Sequence, residues 1–236
     1  MKSLKFTIIL FLFATLSCSK SSESESSEPI GKNNLITTPP ITDFDGNVYQ
    51  TLAICNQTWI KKNLQVSHYK NGDILPQVTD ATQWKNLTSG AWCYYNNDPS
   101  TEAIYGKLYN WYAVVDPRGI APLGWHVPSD LEYNILIENC LGGFGIAGGN
   151  MKETGYLNWD SPNTLATNSS GFTALPAGYR TFSGSFNYEG KEALFWSTTE
   201  ENITRGKYLG ILNTISNATR SNLYKFYGFS VRCLKD

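Results

Sequence analysis

The 236-residue chain has only two histidines, two methionines and five cysteines, and no cysteine stands within two residues of another. Without a Cys-x-x-Cys, and with His68 and His126 far apart, a zinc site or a thiol-redox motif has no ligand spacing to start from. No block of lysine and arginine occurs, the formal charge is −1 and the pI is near 6.1. That balance gives no electrostatic footprint for nucleic acid. No glycine-rich loop sits between a strand and a helix, so Gly142–Gly149 reads as a helix stop and hinge rather than a phosphate cradle. The longest apolar run, Phe6 to Leu16, is too short to span a bilayer comfortably.

That run has a different use. Met1-Lys-Ser-Leu-Lys5 is a short basic start, Phe6–Leu16 the apolar stretch, and Ser17-Cys18 its end, followed by a Ser/Glu tract to Glu28. The pattern resembles a bacterial lipoprotein signal, with residues 1–17 removed and Cys18 lipidated. Thr15 stands where a leucine is usual. The resemblance implies a cell-envelope protein, an outer-membrane lipoprotein exposed at the surface, whose partner is a membrane reached through the lipid. Without residues 1–17 the chain keeps 17 basic and 20 acidic residues, a charge of −3. Residues 18–40 then form a solvated tether ending at Pro39-Pro40, and the domain spans 41–236. Outside the cytosol, Cys55, Cys93, Cys140 and Cys233 can pair in three ways. We favour a bridge that uses Cys233, since it would tie the chain end.

Within the domain the firmest local signal is Gly124-Trp-His-Val-Pro-Ser-Asp-Leu-Glu132. Pro128 extends the approach, Ser129 can cap the first turn and Glu132 can answer it, which makes a capping box. Leu131, Ile135, Leu136 and Cys140 follow at helical spacing, and Gly142-Gly143 ends the helix. A second helix is predicted over Thr101–Val115 from Ile104, Leu108, Trp111, Tyr112 and Val115, and a short one near Asp80–Lys85. Asp45-Gly46 reads as a turn, and strands are predicted at Gln50–Cys55, Thr58–Ile60, Ala91–Tyr95, Phe172–Arg180 and Phe195–Thr199. Ser183-Gly184 reads as a hairpin turn. Lys207–Leu212, Leu223-Tyr224 and Gly228–Leu234 complete an antiparallel sheet, the last as its best strand. From Gly143 to Asn168 about thirty residues read as irregular, and loops of that length usually do something.

Five ordered blocks resemble one family: Asn56-Gln-Thr-Trp-Ile60 with Asn63-Leu64, Tyr105–Ala113, Gly124–Asp130, Phe172–Arg180 and Gly228–Cys233. It is the Fibrobacter succinogenes major paralogous domain, found mostly in exported proteins of Bacteroidetes-type bacteria and without a settled activity. More distantly, the Trp125–Glu132 turn and the terminal Gly228-Phe-Ser-Val-Arg232 are similar to formylglycine-generating enzymes and the C-type lectin-like fold. That similarity implies an α+β domain, two helices on twisted antiparallel strands with a long irregular loop region. The lectins' calcium motifs are missing from the domain, and the formylglycine enzymes' reactive cysteine pair has only Cys233 to represent it. Neither a calcium cofactor nor that activity is expected.

Catalytic groupings are weak. His126, Ser129 and Asp130 share one turn and cannot line up in series, so capping accounts for Ser129. Glu200-Glu201, or Glu189 with Glu192, read as exposed acids rather than an acid–base pair. Three classes stay open: a surface binding or adhesion module for glycan or protein, a purely structural surface protein, and a cryptic enzyme. The aromatic, amide-rich loops Tyr156–Asn168 and Arg180–Tyr188 favour the first, with Trp159, Tyr156, Asn163 and Tyr179 as candidate ligand-binding residues and no cofactor. The competing reading for Trp159 is an inward anchor for its loop.

Overall fold

A computed structural model describes residues 36–236. The signal segment, Cys18 and most of the tether lie outside the described residues. In chain order the strands are β1 (Ile36–Thr42), β2 (Val48–Ile54), β3 (Gln57–Ile60), β4 (Trp92–Cys93), β5 (Leu108–Tyr109), β6 (Trp125–His126), β7 (Ala177–Arg180), β8 (Phe186–Glu189), β9 (Glu192–Asn202), β10 (Arg205–Leu212), β11 (Ala218–Tyr224) and β12 (Leu234–Lys235). The helices are α1 (Ala81–Lys85), α2 (Glu102–Tyr105), α3 (Trp111–Val114), α4 (Asp130–Ile135) and α5 (Phe144–Met151). Strands dominate an α+β domain. Regular structure begins at Ile36, upstream of the expected boundary at Ile41, because Thr37 and Thr38 already pair with Leu52 and Thr51.

Two five-stranded sheets carry the fold, ordered β1-β2-β3-β12-β6 and β11-β10-β9-β7-β8, beside a small β4-β5 ribbon. In the second sheet β7 pairs β8 antiparallel and β9 parallel. Side chains alternate across β9, so Ala193 and Phe195 enter one core while Leu194 and Trp196 enter another. The first core holds Tyr133, Leu136 and Ile137 beside α4, Ala147 and Met151 of α5, and Trp59 of the first sheet. Burying each large apolar side chain there contributes roughly 1.5–3 kcal/mol. The helices therefore cover one face of the second sheet.

The predicted helix over Thr101–Val115 is two short helices with β5 between them. Gly106 breaks it: at φ +70° the backbone turns, and a Cβ there would stand 2.9 Å from the Leu64 carbonyl oxygen. The capping box forms as expected, with Ser129 Oγ accepting from the Glu132 amide and Glu132 accepting from the Ser129 amide. The buried stripe differs from the expected one. Leu131 is 66% exposed, and Tyr133, Leu136 and Ile137 face the core. The next turn, Leu136–Cys140, is a π-helix, so the spacing drifts from the helical period.

After Gly143 the chain is less irregular than expected, since α5 occupies Phe144–Met151. Its Gly148 and Gly149 hid the helix from propensity reasoning. Added Cβ atoms there would meet the Asn217 and Leu165 carbonyl oxygens at 2.2 and 2.4 Å, so close backbone approach explains both glycines. Of the predicted Phe172–Arg180 strand, only Ala177–Arg180 is regular. Gly228–Leu234 is buried throughout but is no simple strand. Gly228 bridges Arg180, Phe229 bridges Tyr109, Ser230 bridges Phe195, and Leu234 lies between Trp59 and His126. The segment stitches the three sheets together, and its continuous apolar character follows from burial on all sides. The disulfide joins Cys55, at the β2–β3 turn, to Cys140, while Cys93 and Cys233 are free and buried. The expected bridge through Cys233 is not formed, because Cys233 is enclosed in the core with Tyr49, Trp125 and Val231.

Candidate functional site

The four candidate ligand residues part company in the structure. Trp159 is 1% exposed, and its indole N–H donates to the Ala174 carbonyl at 3.0 Å, so it anchors the loop instead of meeting a ligand. Asn163 is buried at φ +39° and donates to the carbonyls of Glu153 and Gly155. It too closes the loop from within. Tyr156 is largely exposed, its hydroxyl 3.5 Å from the Pro162 carbonyl. Only Tyr179 lies in an extended aromatic surface.

Buried cations explain why so much irregular backbone needs no ligand. Lys152 Nζ donates to the carbonyls of Thr164, Leu212 and Ile215 at 2.8, 3.1 and 2.9 Å, and burial pulls its amine down to about 8. Arg232 lies near the rings of Phe172 and Phe195 and donates to Asn63 Oδ1 and to the carbonyls of Ile60, Phe172 and Thr173. Arg180 serves Val78, Thr79 and Gly184 in the same way, stacked over Trp84. Each cation gathers carbonyls from segments remote in sequence, most of them in loops.

His126 sits between two acids, Nδ1 at 2.7 Å from Asp236 and Nε2 at 2.9 Å from Glu132. Burial opposes its charge, but the two carboxylates outweigh that and raise its pKa. Glu132 is raised by burial and lowered more by the Ser129 amide and hydroxyl and by His126. The Ser129 hydroxyl bonds to Glu132 rather than to His126, so histidine has no nucleophile to activate. Beside this tie lies an open groove of about 440 Å³, lined by Gln57, Glu132, Leu234 and Asp236 among others. Among the described residues, no group of three or more His, Cys, Asp or Glu is arranged to hold a metal.

The remaining surface is the rim of the core that Leu194 and Trp196 enter, along the β8-to-β11 sheet. Tyr179 on β7 stacks on Tyr188 of β8 at 5.7 Å and 21°, and Tyr179 lies 6.0 Å from Tyr227. Phe182 packs against Phe226 and Tyr227, and Phe226 stacks on Tyr224 at 5.3 Å. Tyr208 and Tyr227 edge onto buried Phe229, which stacks on Trp196 at 4.2 Å. The outermost rings are half open, Tyr188 at 49% and Phe182 at 46% exposed. They rest on Tyr179 and Tyr227, which pack on buried Phe229, so the rings are held in place without a ligand. Glu192 shares this face by alternation with Leu194 and Trp196. Burial, then the charge of Glu192, pushes the Tyr179 phenol up to about 12. Tyr208 is also raised, by burial and Glu192 against its bond to Ser221.

Sequence reasoning placed Tyr179 and the Arg180–Tyr188 loop in a binding region but missed Tyr208, Tyr227 and Glu192. The available signal was the alternation of β9 and β10, with Glu192, Leu194 and Trp196 on one side and Tyr208 across from Trp196.

The fold and this surface define a strand-rich α+β domain with an aromatic sheet face. The Fibrobacter succinogenes major domain model matches residues 52–235, and the chain belongs to that family. No curated protein and no solved structure matches it.

Proposed function

We propose that the chain is a lipid-anchored cell-envelope protein that binds glycan, without catalysis, on the sheet face of Tyr179, Tyr188, Tyr208 and Tyr227. One observation carries the reading: Tyr179, Tyr208 and Tyr227 are seated on Phe229, and the half-open rings of Tyr188 and Phe182 extend that set outwards by packing on Tyr179 and Tyr227. Flat ring faces suit the apolar faces of sugars, and Asn187 opposite Tyr179 and Ser221 opposite Tyr208 supply amide and hydroxyl groups beside them. A protein ligand is the competing occupant, but the surface mixes phenols with polar side chains instead of presenting an aliphatic patch. The frame is read as C-type lectin-like on the strength of the Trp125–Glu132 turn and the terminal Gly228–Arg232 segment. The binding surface is then a sheet face, not the long loop. The anchor reading rests on Met1–Cys18 and places the domain on the outer membrane.

A glycan array probed with the full-length chain in detergent tests the reading. Binding to at least one glycan class, lost in Tyr188→Ala and kept in Trp159→Phe, is the expected result. Array silence, or signal indifferent to Tyr188→Ala, overturns it. Cys18→Ala should lose lipid labelling and pass to the aqueous phase, and membrane retention of that variant removes the anchor.

A further inference from the structure

We infer that Glu192 sets the ligand class of the tyrosine face, admitting neutral, hydroxyl-rich glycans and turning acidic ones away. The inference rests on the reading of that face as the binding surface. Glu192 opens β9 opposite Leu212, with its side chain on the side of Leu194 and Trp196, and it is half-buried. Among the described residues it has no hydrogen-bond donor and no ion-pair partner, and burial raises its carboxyl.

Of the other acids on this sheet, Glu189 on β8 also lacks an ion pair among the described residues but is exposed, and those towards the far end are occupied. Asp130 takes Arg220 and Lys207, Glu201 takes Lys207, and Glu200 takes Lys225. The remaining cation on these strands is occupied as well, since Arg205 lies over the Tyr224 ring at 4.6 Å and donates to Asn222 at 3.0 Å. A partly desolvated carboxylate without a donor beside it is costly to keep, and the chemistry that relieves it is O–H donation from a ligand lying on the neighbouring rings. Two adjacent sugar hydroxyls can each donate to one carboxylate oxygen while the sugar's apolar face covers Tyr179. A sugar acid brings a second negative charge to the same half-dry place, where like charges repel more strongly than in bulk water.

The test uses the full-length chain in detergent and calorimetric titration with neutral hexasaccharides of glucose, xylose and mannose. Galacturonate and glucosamine hexamers of the same length serve as acidic and cationic comparators. At least one neutral hexamer should bind about tenfold or more tighter than the galacturonate, and Glu192→Gln should weaken it about tenfold while narrowing the gap. Glu192→Gln is near-isosteric, and an unchanged melting temperature shows that it is folded. If Glu192→Gln leaves the gap unchanged while Tyr188→Ala abolishes binding, the selectivity role of Glu192 falls and the glycan face stands. If Tyr188→Ala changes nothing, the face itself falls. Tightest binding of the glucosamine hexamer overturns the neutral class, and no binding by the wild type removes both readings.

Discussion

Residues 152–176 and the β8-to-β11 sheet face invert the usual expectation about where binding happens. The loop region is irregular, with Asn163, Leu165, Asn168 and Thr173 all at positive φ, yet its polar groups are largely satisfied from within by Lys152, Asn163 and Arg232. The sheet face has regular backbone, yet leaves Tyr188 and Phe182 open and Glu192 without a donor. Irregular backbone becomes a binding surface when its groups lack partners, and here the partners are built in. Groups held rigid and left unsatisfied mark the better site.

The sharpest way to break this contrast is to remove a cation from the closed region. Arg232→Met keeps the volume near Phe172 and Phe195 but strips donors from three carbonyls and Asn63 Oδ1. The expected loss is about 4 kcal/mol in urea denaturation, with the 172–173 turn exchanging its amides fastest. A variant within 1 kcal/mol of wild type, by the same rough scale, means the carbonyls find water instead and the loop is less closed than the contrast holds.

A paired substitution separates the two regions directly. Trp159→Ala should cost about 3–5 kcal/mol, since it empties a buried site and leaves the Ala174 carbonyl with the Glu153 amide as its remaining donor. Tyr188→Ala should cost under about 1 kcal/mol, because its ring is half open. Equal costs in chemical denaturation erase the distinction between an anchoring aromatic and an open one.

These contrasts mark what could be read from the residues alone. The Ser129–Glu132 box, the short helix near Asp80–Lys85 and the β2–β3 hairpin were legible because each depends on neighbours within a few residues. The Gly228–Leu234 stitch was legible as buried but not as a connector, since its partners Tyr109, Arg180, Phe195 and Trp59 are scattered along the chain. The same remoteness hid the closure of the loop: Lys152 reaches Leu212 and Ile215, and Arg232 reaches Thr173, across spacings that carry no local pattern. The aromatic loop was therefore read as open. Tyr179, a candidate ligand residue, lies in the aromatic surface, but its neighbours Tyr188, Tyr208 and Tyr227 come from three other segments that only the fold brings together.

A smaller effect tests the local part of the argument. Ser129→Ala should cost about 1 kcal/mol, the usual loss for a helix N-cap, and leave glycan binding unchanged. Wild-type stability in that variant would mean that Glu132 alone caps α4. Lost binding in a stable variant moves the site towards the His126 groove.

The smallest expected effect is a loss with rising pH that should appear at the His126 tie and be absent from the tyrosine face. His126 has a folded pKa above its ordinary 6.5, so the stability it contributes is fully present below that value and is lost as pH rises through the raised one. Glu132 has a folded pKa below its ordinary 4.5, so its contribution is present above that value and is lost as pH falls through the lowered one. The tie between His126 and Glu132 is therefore strongest between the two transitions, in mildly acidic solution. His126 is partly exposed, so solvent screening keeps the effect modest. Melting temperatures of wild type and His126→Gln should differ most near pH ~5–6 and converge as the wild-type histidine loses its proton. A constant difference across that range shows that the histidine acts by packing rather than by charge. The phenols of Tyr179 and Tyr208 stay protonated throughout it, and Glu192, raised by burial, changes its charge only on the acid side, so glycan affinity at the sheet face should hold steady as pH rises and the tie weakens. If binding falls in step with the histidine, the two regions are coupled, and the contrast drawn between a closed frame and an independent open face fails.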